Sequence, residues 1–124
     1  SLTHSLMKAK KIDYTFKVGE NLSGLKLSML VRRNFYLIFK EAINNLVKYS
    51  NATRVSISLA ANEGMIELLI RDNGAGFDVN NAPRGNGLIN MNRRAKEMKA
   101  DFKIESAAGE GTGIQLVLRK NTSS

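Results

Sequence analysis

The spacing of apolar residues switches between two periods along this chain, and the order of the switches leaves few folds open. From Ile12 to Val18 every second residue is apolar, with Ile12, Tyr14, Phe16 and Val18 on one side and Asp13, Thr15 and Lys17 on the other. That is the pattern of a half-buried strand. A turn-like segment around Gly19 to Gly24 follows, and from about Ser28 to Ser50 the period becomes helical, placing Val31, Phe35, Ile38, Ala42 and Leu46 on one face. Alternation returns at Val55, Ile57 and Leu59 and again at Ile66, Leu68 and Ile70, with Asn62-Glu63-Gly64 between them as a hairpin turn.

After Asp72 comes a loop rich in Gly and Asn that carries the only proline, Pro83, and runs to about Asn86. A second helix is predicted over Leu88 to Lys99, with Leu88, Met91, Ala95 and Met98 as its buried stripe. Phe102, Ile104 and Ser106, then Thr112, Ile114, Leu116 and Leu118, mark two last strands joined through Ala108-Gly109-Glu110-Gly111. Five half-buried strands and two substantial helices predict a two-layer α/β sandwich, one sheet covered on one face by helices. A length of 124 residues fits one such domain and not two cores. The extreme residues, Ser1-Leu2 and Asn121 to Ser124, read as frayed ends.

Composition removes several chemistries. With no cysteine there are no disulfides, zinc-thiolate sites or cysteine nucleophiles, which is compatible with a reducing cytoplasm. The longest apolar runs, such as Leu68-Leu69-Ile70, are far too short to span a bilayer. A formal net charge of +8 makes a polyanionic partner worth considering, but the basic residues are scattered and each short run reads by default as solvated surface.

Four segments carry candidate chemistry. On the first long helix Glu41, Asn45 and Lys48 project along one stripe beside the apolar face, and Asn44 with Asn45 puts two mediocre helix formers in mid-helix. An amide oxygen suits magnesium and a lysine suits phosphate, although the same spacing also describes a solvated helix edge. In Asp72-Asn73-Gly74-Ala75-Gly76-Phe77, Asp72 shares strand parity with Ile66, Leu68 and Ile70 and so points inward, where a carboxylate needs donors. The exocyclic amine of adenine is one such donor, with glycines admitting a flat base, and a plain Asp-Asn-Gly turn is the other reading. Arg84-Gly85-Asn86-Gly87-Leu88 precedes a helix whose free N–H groups suit a string of phosphates, or it is simply a loop ending in a cap. In Gly109-Glu110-Gly111-Thr112-Gly113, Thr112 has the inward parity of Ile114, Leu116 and Leu118.

Taken in order, these segments resemble the GHKL ATPases: histidine kinases, DNA gyrase B, MutL and the anti-sigma serine kinases. The resemblance runs from about Arg33 to Leu118. Phe39 to Ser50 looks like the N box of sensor kinases of the nitrate-response branch, Asp72 to Phe77 like the G1 box, Gly85 to Met91 like that branch's compact second glycine box, and Gly111-Thr112 like its final glycine-threonine element. Tyr49 stands where many relatives have histidine, and the lid, roughly Asp78 to Asn86, is short.

The resemblance implies a Bergerat-type fold with one mixed five-stranded sheet, the catalytic domain being residues 12–120. Residues 1–11 would be a remnant or linker from an upstream dimerisation domain. It implies Asn45 as the magnesium ligand, Glu41 polarising the attacking group or a water, and Lys48 near the phosphates. Asp72 would accept from the adenine amine with Thr112 in support, Gly74 and Gly76 would give the base room, and Gly85, Gly87 and Leu88 would border the lid. Asn44, Tyr49 and Phe77 would complete the nucleotide site. The implied activity is binding of Mg-ATP and transfer of its γ-phosphoryl group to a histidine on the dimerisation domain of a sensor histidine kinase. Its partners would be that domain and a response regulator receiver domain, within a homodimeric, cytoplasmic kinase portion making no direct contact with membrane or nucleic acid. The sole histidine, His4, lacks the acidic neighbour expected of an acceptor and reads as a surface residue or part of a helix descending from the dimerisation domain. Open beside this are an anti-sigma-type serine kinase, a basic nucleic-acid-binding module, and a nucleotide-binding domain that has lost catalysis.

Overall fold

The computed structural model describes residues 2–19, 27–62, 64–76 and 87–119. The expected turn at 20–24, Phe77, the lid at 78–86 and the tail at 121–124 therefore lie outside the described residues.

The chain runs α1 (Leu2–Ala9), β1 (Asp13–Val18), α2 (Met29–Tyr49), β2 (Arg54–Asn62), β3 (Met65–Asp72), α3 (Gly87–Glu97), β4 (Ala100–Ser106) and β5 (Thr112–Arg119). The strands form one sheet in the order β1-β2-β3-β5-β4. β1 pairs parallel with β2, and every other pair is antiparallel, so the sheet is mixed as expected. A parallel pair needs a crossover, and α2 supplies it.

Local chemistry sets the ends of α2. The Ser28 hydroxyl accepts from the Val31 amide at 3.2 Å, a serine N-cap worth about 1 kcal/mol. At the other end Ser50 is the C-cap, and Asn51, at φ 53°, takes the left-handed conformation in which the backbone leaves the helix. Lys99, at φ 58°, follows the end of α3 in the same conformation, so that helix stops at Glu97 and not at Lys99 as the spacing predicts.

The core lies between the helices and one sheet face. Ile38, Ala42, Ile43 and Leu46 of α2 and Met91 and Ala95 of α3 meet Val55, Ile57, Ile66, Leu68, Ile70, Ile114, Leu116 and Leu118. Burial of each large apolar side chain there stabilises the fold by roughly 1.5–3 kcal/mol. Apart from Ile43, these are residues whose periodicity marks them as inward.

Two features differ from the expectation. β1 alternates, yet Phe16 is 44% exposed and Val18 59% exposed, because β1 is an edge strand and pairs only with β2. Phe16 packs against Phe39 of α2, ring centroids 6.0 Å apart. Leu2, read with Ser1 as a frayed end, in fact begins α1, and Met7 of that helix is fully buried in the common core. His4 falls within α1.

Candidate functional site

The sheet ends in a polar row. Asp72 closes β3 opposite Thr112, which opens β5, and Thr112 in turn lies opposite Ser106, the last residue of β4. The Thr112 and Ser106 hydroxyls are 2.8 Å apart, and Ser106 Oγ also donates to the Gly111 carbonyl at 3.1 Å. Asp72 Oδ1 accepts from the Gly74 amide at 2.8 Å, an Asx turn that starts the glycine loop.

Above this row a narrow cleft separates the sheet from α2 and α3. Asn45 borders it from α2, Asp72 and Thr112 from the strand ends, and Leu88 from α3; Ile70, Ile104 and Ile114 are among its apolar walls. Its open space is about 20 Å³, room for about one water molecule. Inward parity of Asp72 and Thr112 thus translates into a shared cavity with an amide contributed by the helix. A carboxylate and the Thr112 hydroxyl at one end of apolar walls suit a flat aromatic ligand with polar edges.

Not every predicted site residue lines the cleft. Glu41 and Asn44 are half-buried and Lys48 is exposed, all on α2 and none among the lining residues. Tyr49 ends α2 and Gly87 starts α3. Phe77 and Gly85 fall outside the described residues.

Gly74 and Gly76 meet a constraint that sequence reasoning does not foresee. The space a Cβ would take at Gly74 is filled by the carbonyl and side chain of Ser50, and at Gly76 by the carbonyl of Ala107. Both glycines admit close approach of protein backbone. The Ala75 amide donates to the Ser50 carbonyl at 2.7 Å, and the Ala75 carbonyl accepts from the Gly109 amide at 2.5 Å. The glycine loop is thereby held between the end of α2 and the β4–β5 turn.

Ser50, Asn73 and Ser106 are the residues sequence reasoning missed. Ser50, 2% exposed, donates through Oγ to the Leu46 carbonyl at 2.6 Å and accepts from the Ala52 amide at 3.1 Å. Asn73 Oδ1 accepts from the Thr53 and Arg54 amides, each at 2.9 Å, tying the loop to the start of β2. Ser50 has a local signal, a small polar residue at the end of a helical run; the other two depend on cross-strand neighbours.

A magnesium ion would find one suitable ligand in Asn45. Among the described residues there is no group of three or more His, Cys, Asp or Glu side chains able to hold a metal, so the remaining ligands would have to be water and phosphate, which is how Mg²⁺ is usually held at nucleotide sites. Also among the described residues, no helix is long and apolar enough to cross a membrane.

An inward carboxylate on the sheet and an asparagine on the facing helix thus border one cleft. By sequence comparison, residues 31–122 match the family described as histidine kinase-, DNA gyrase B-, and HSP90-like ATPase. The chain belongs to this family. Over 101 residues, 81% of its length, it is 35% identical to the sensor protein VraS of Staphylococcus aureus and, equally, of Staphylococcus haemolyticus. The chain spans about three-tenths of the length of these curated relatives, as the match covers 29% of each. Among solved structures, the Acinetobacter baumannii histidine kinase AdeS superposes with a TM-score of 0.76 at 16% identity, covering 98% of this chain and 60% of that one. The histidine kinase domain of the Erythrobacter litoralis EL346 blue-light activated histidine kinase gives 0.73 at 12% identity, covering 96% of this chain and 58% of that one. Both structures share the fold.

Proposed function

We propose that this chain is the ATP-binding catalytic part of a sensor histidine kinase, and that it donates the γ-phosphoryl group of ATP to a histidine on another segment of the full protein. The observation that carries this reading is the placement of Asn45 and Asp72 in one cleft, reached from opposite layers of the sandwich. Asp72 accepts a hydrogen bond from the adenine amine, and Thr112 and Ser106 extend the polar edge beside it. Ile70, Ile104 and Ile114 flank the base. Nucleotide sites are on the order of 300–1,000 Å³, so the walls of the cleft must separate to admit ATP.

Asn45 offers its amide oxygen to magnesium, which when bound neutralises phosphate charge. Glu41, one helical turn before it, polarises the attacking group or a water, and exposed Lys48 reaches toward phosphate oxygens. Phosphoryl transfer asks mainly for positioning and electrostatic stabilisation, and these side chains supply both. The nitrate-response branch is suggested by the segments Phe39 to Ser50, Gly85 to Met91 and Gly111-Thr112 alone.

Residues 1–11 are read as the approach to the upstream dimerisation domain, which would provide the acceptor histidine and present it to a response regulator. The nucleic-acid reading lacks support of this kind: Tyr14, Phe35, Phe39 and Phe102 pack against the core, which leaves Phe16 and Tyr36 as the exposed aromatic rings among the described residues.

The test is phosphoryl transfer in trans. The isolated domain, mixed with radiolabelled ATP and the remaining segment of the full-length protein, should label that segment on an acid-labile, base-stable phosphohistidine. An acid-stable phosphoserine would overturn the histidine-kinase reading in favour of a serine kinase.

A further inference from the structure

Asn73 is followed by glycine, the neighbour that least hinders attack of a backbone nitrogen on an asparagine side chain. The fold imposes this pair. A Cβ at position 74 would collide with the Ser50 carbonyl, so glycine is required there, and Asn73 is needed to satisfy the Thr53 and Arg54 amides. Asn73 is also exposed to the water and base that deamidation needs.

We propose that Asn73 is a site of spontaneous deamidation that the fold holds in check, with the Asp72 carboxylate guarding the attacking nitrogen. In the reaction the Gly74 nitrogen gives up its proton and forms a bond to Cγ of Asn73. The bond from Cγ to Nδ2 breaks and ammonia leaves, giving a five-membered succinimide. Water then opens the ring at one carbonyl to give aspartate, or at the other to give isoaspartate, in which the backbone runs through the former side chain.

Both reacting groups are pinned. The Gly74 N–H donates to Asp72 Oδ1 at 2.8 Å, and a negative carboxylate beside that nitrogen opposes its deprotonation. The Asn73 amide is held away by two bonds into Oδ1 and by a third from Nδ2 to Thr53 Oγ1 at 3.0 Å. The two backbone donors polarise the Asn73 carbonyl and so make Cγ more electrophilic, but ring closure requires the side chain to swing out of the same bonds. Restraint therefore outweighs activation.

The products differ in consequence. Aspartate at 73 can still accept from the Thr53 and Arg54 amides, while the Thr53 hydroxyl turns to donate. Isoaspartate adds a backbone carbon between Asp72 and Gly74 and displaces the Ala75 amide from the Ser50 carbonyl. None of this rests on nucleotide binding.

Native protein and protein in urea are incubated at mildly alkaline pH, digested under acid conditions, and peptides containing residue 73 are resolved by mass spectrometry into asparagine, aspartate and isoaspartate forms. Asn86-Gly87, the other Asn-Gly pair in the sequence, reports the unhindered chemistry in the unfolded sample. Unfolded protein should modify at Asn73 readily, and native protein more slowly by about fivefold for each hydrogen bond that must open. Folded Asp72→Ala should lose about fivefold of that protection. Should Asp72→Ala not fold, Thr53→Val at an exposed position removes the Nδ2 partner and should give a similar rise. Equal rates in native and unfolded wild type, or unchanged protection in a folded variant, overturn the proposal.

Discussion

The Ala75 amide donates to the Ser50 carbonyl at 2.7 Å, and this bond joins the loop that begins at Asp72 to the helix that carries Asn45. The loop that follows Asp72 is thereby tied by backbone to the C-terminal end of α2. Ser50 reinforces the junction with its own side chain, which bridges the Leu46 carbonyl and the Ala52 amide.

Ser50→Ala should accordingly destabilise the fold by about 1–3 kcal/mol, because it leaves a buried Ala52 N–H without its acceptor. Urea unfolding monitored by circular dichroism measures it. A midpoint unchanged from wild type would mean that water replaces the hydroxyl at no cost.

Two glycines should behave differently when changed to alanine. At Gly64, φ is +81° but nothing lies within 4 Å of the new methyl, so only the left-handed backbone penalty of about 1 kcal/mol applies. At Gly74 the methyl meets the Ser50 carbonyl, and overpacking of this kind typically costs about 1–3 kcal/mol and displaces the loop. Gly74→Ala should therefore lower nucleotide affinity as well as stability, whereas Gly64→Ala should lower stability alone. Paired unfolding and calorimetric titrations separate the two.

Met7 tests how firmly the N-terminal helix belongs to the domain. It is fully buried, and Met7→Ala should cost about 2–5 kcal/mol, as for other large-to-small core changes. A negligible change in the unfolding midpoint would show that α1 detaches freely.

How far the sequence could be read depended on the range of the signal. Parity within one strand was enough to turn Asp72 and Thr112 inward, and helical spacing was enough to bury Ile38, Ala42 and Leu46. Parity could not foresee that Phe16 and Val18 would sit on an edge strand, where no second neighbour and little helix cover them. The crowding at Gly74 and Gly76 was hidden for a similar reason: it comes from Ser50 and Ala107, more than twenty residues away in each case, and only the assembled fold brings these together. Ser106 and Asn73 likewise owe their places to strand register.

Asn45 is assigned to the metal and not to the base. Asn45→Ala should leave ATP affinity in the presence of a chelator within about twofold of wild type, while abolishing the gain that magnesium confers, since it removes the one protein oxygen assigned to the ion. Calorimetry with and without magnesium reads both quantities, and a retained magnesium effect would place the ion elsewhere.

The adenine assignment of Asp72 is tested most directly by Asp72→Asn. The substitution keeps an oxygen to accept from Gly74 N–H, so the loop should hold, but it removes the charge from the bond to the adenine amine. Titration calorimetry with ATP should show affinity falling about tenfold or more, in keeping with about 1.5–3 kcal/mol for a hydrogen bond to a charged group. Binding of GTP, which carries an oxygen in place of that amine, should be weak in the wild type and should not fall. Undiminished ATP affinity in a folded Asp72→Asn protein would contradict the account.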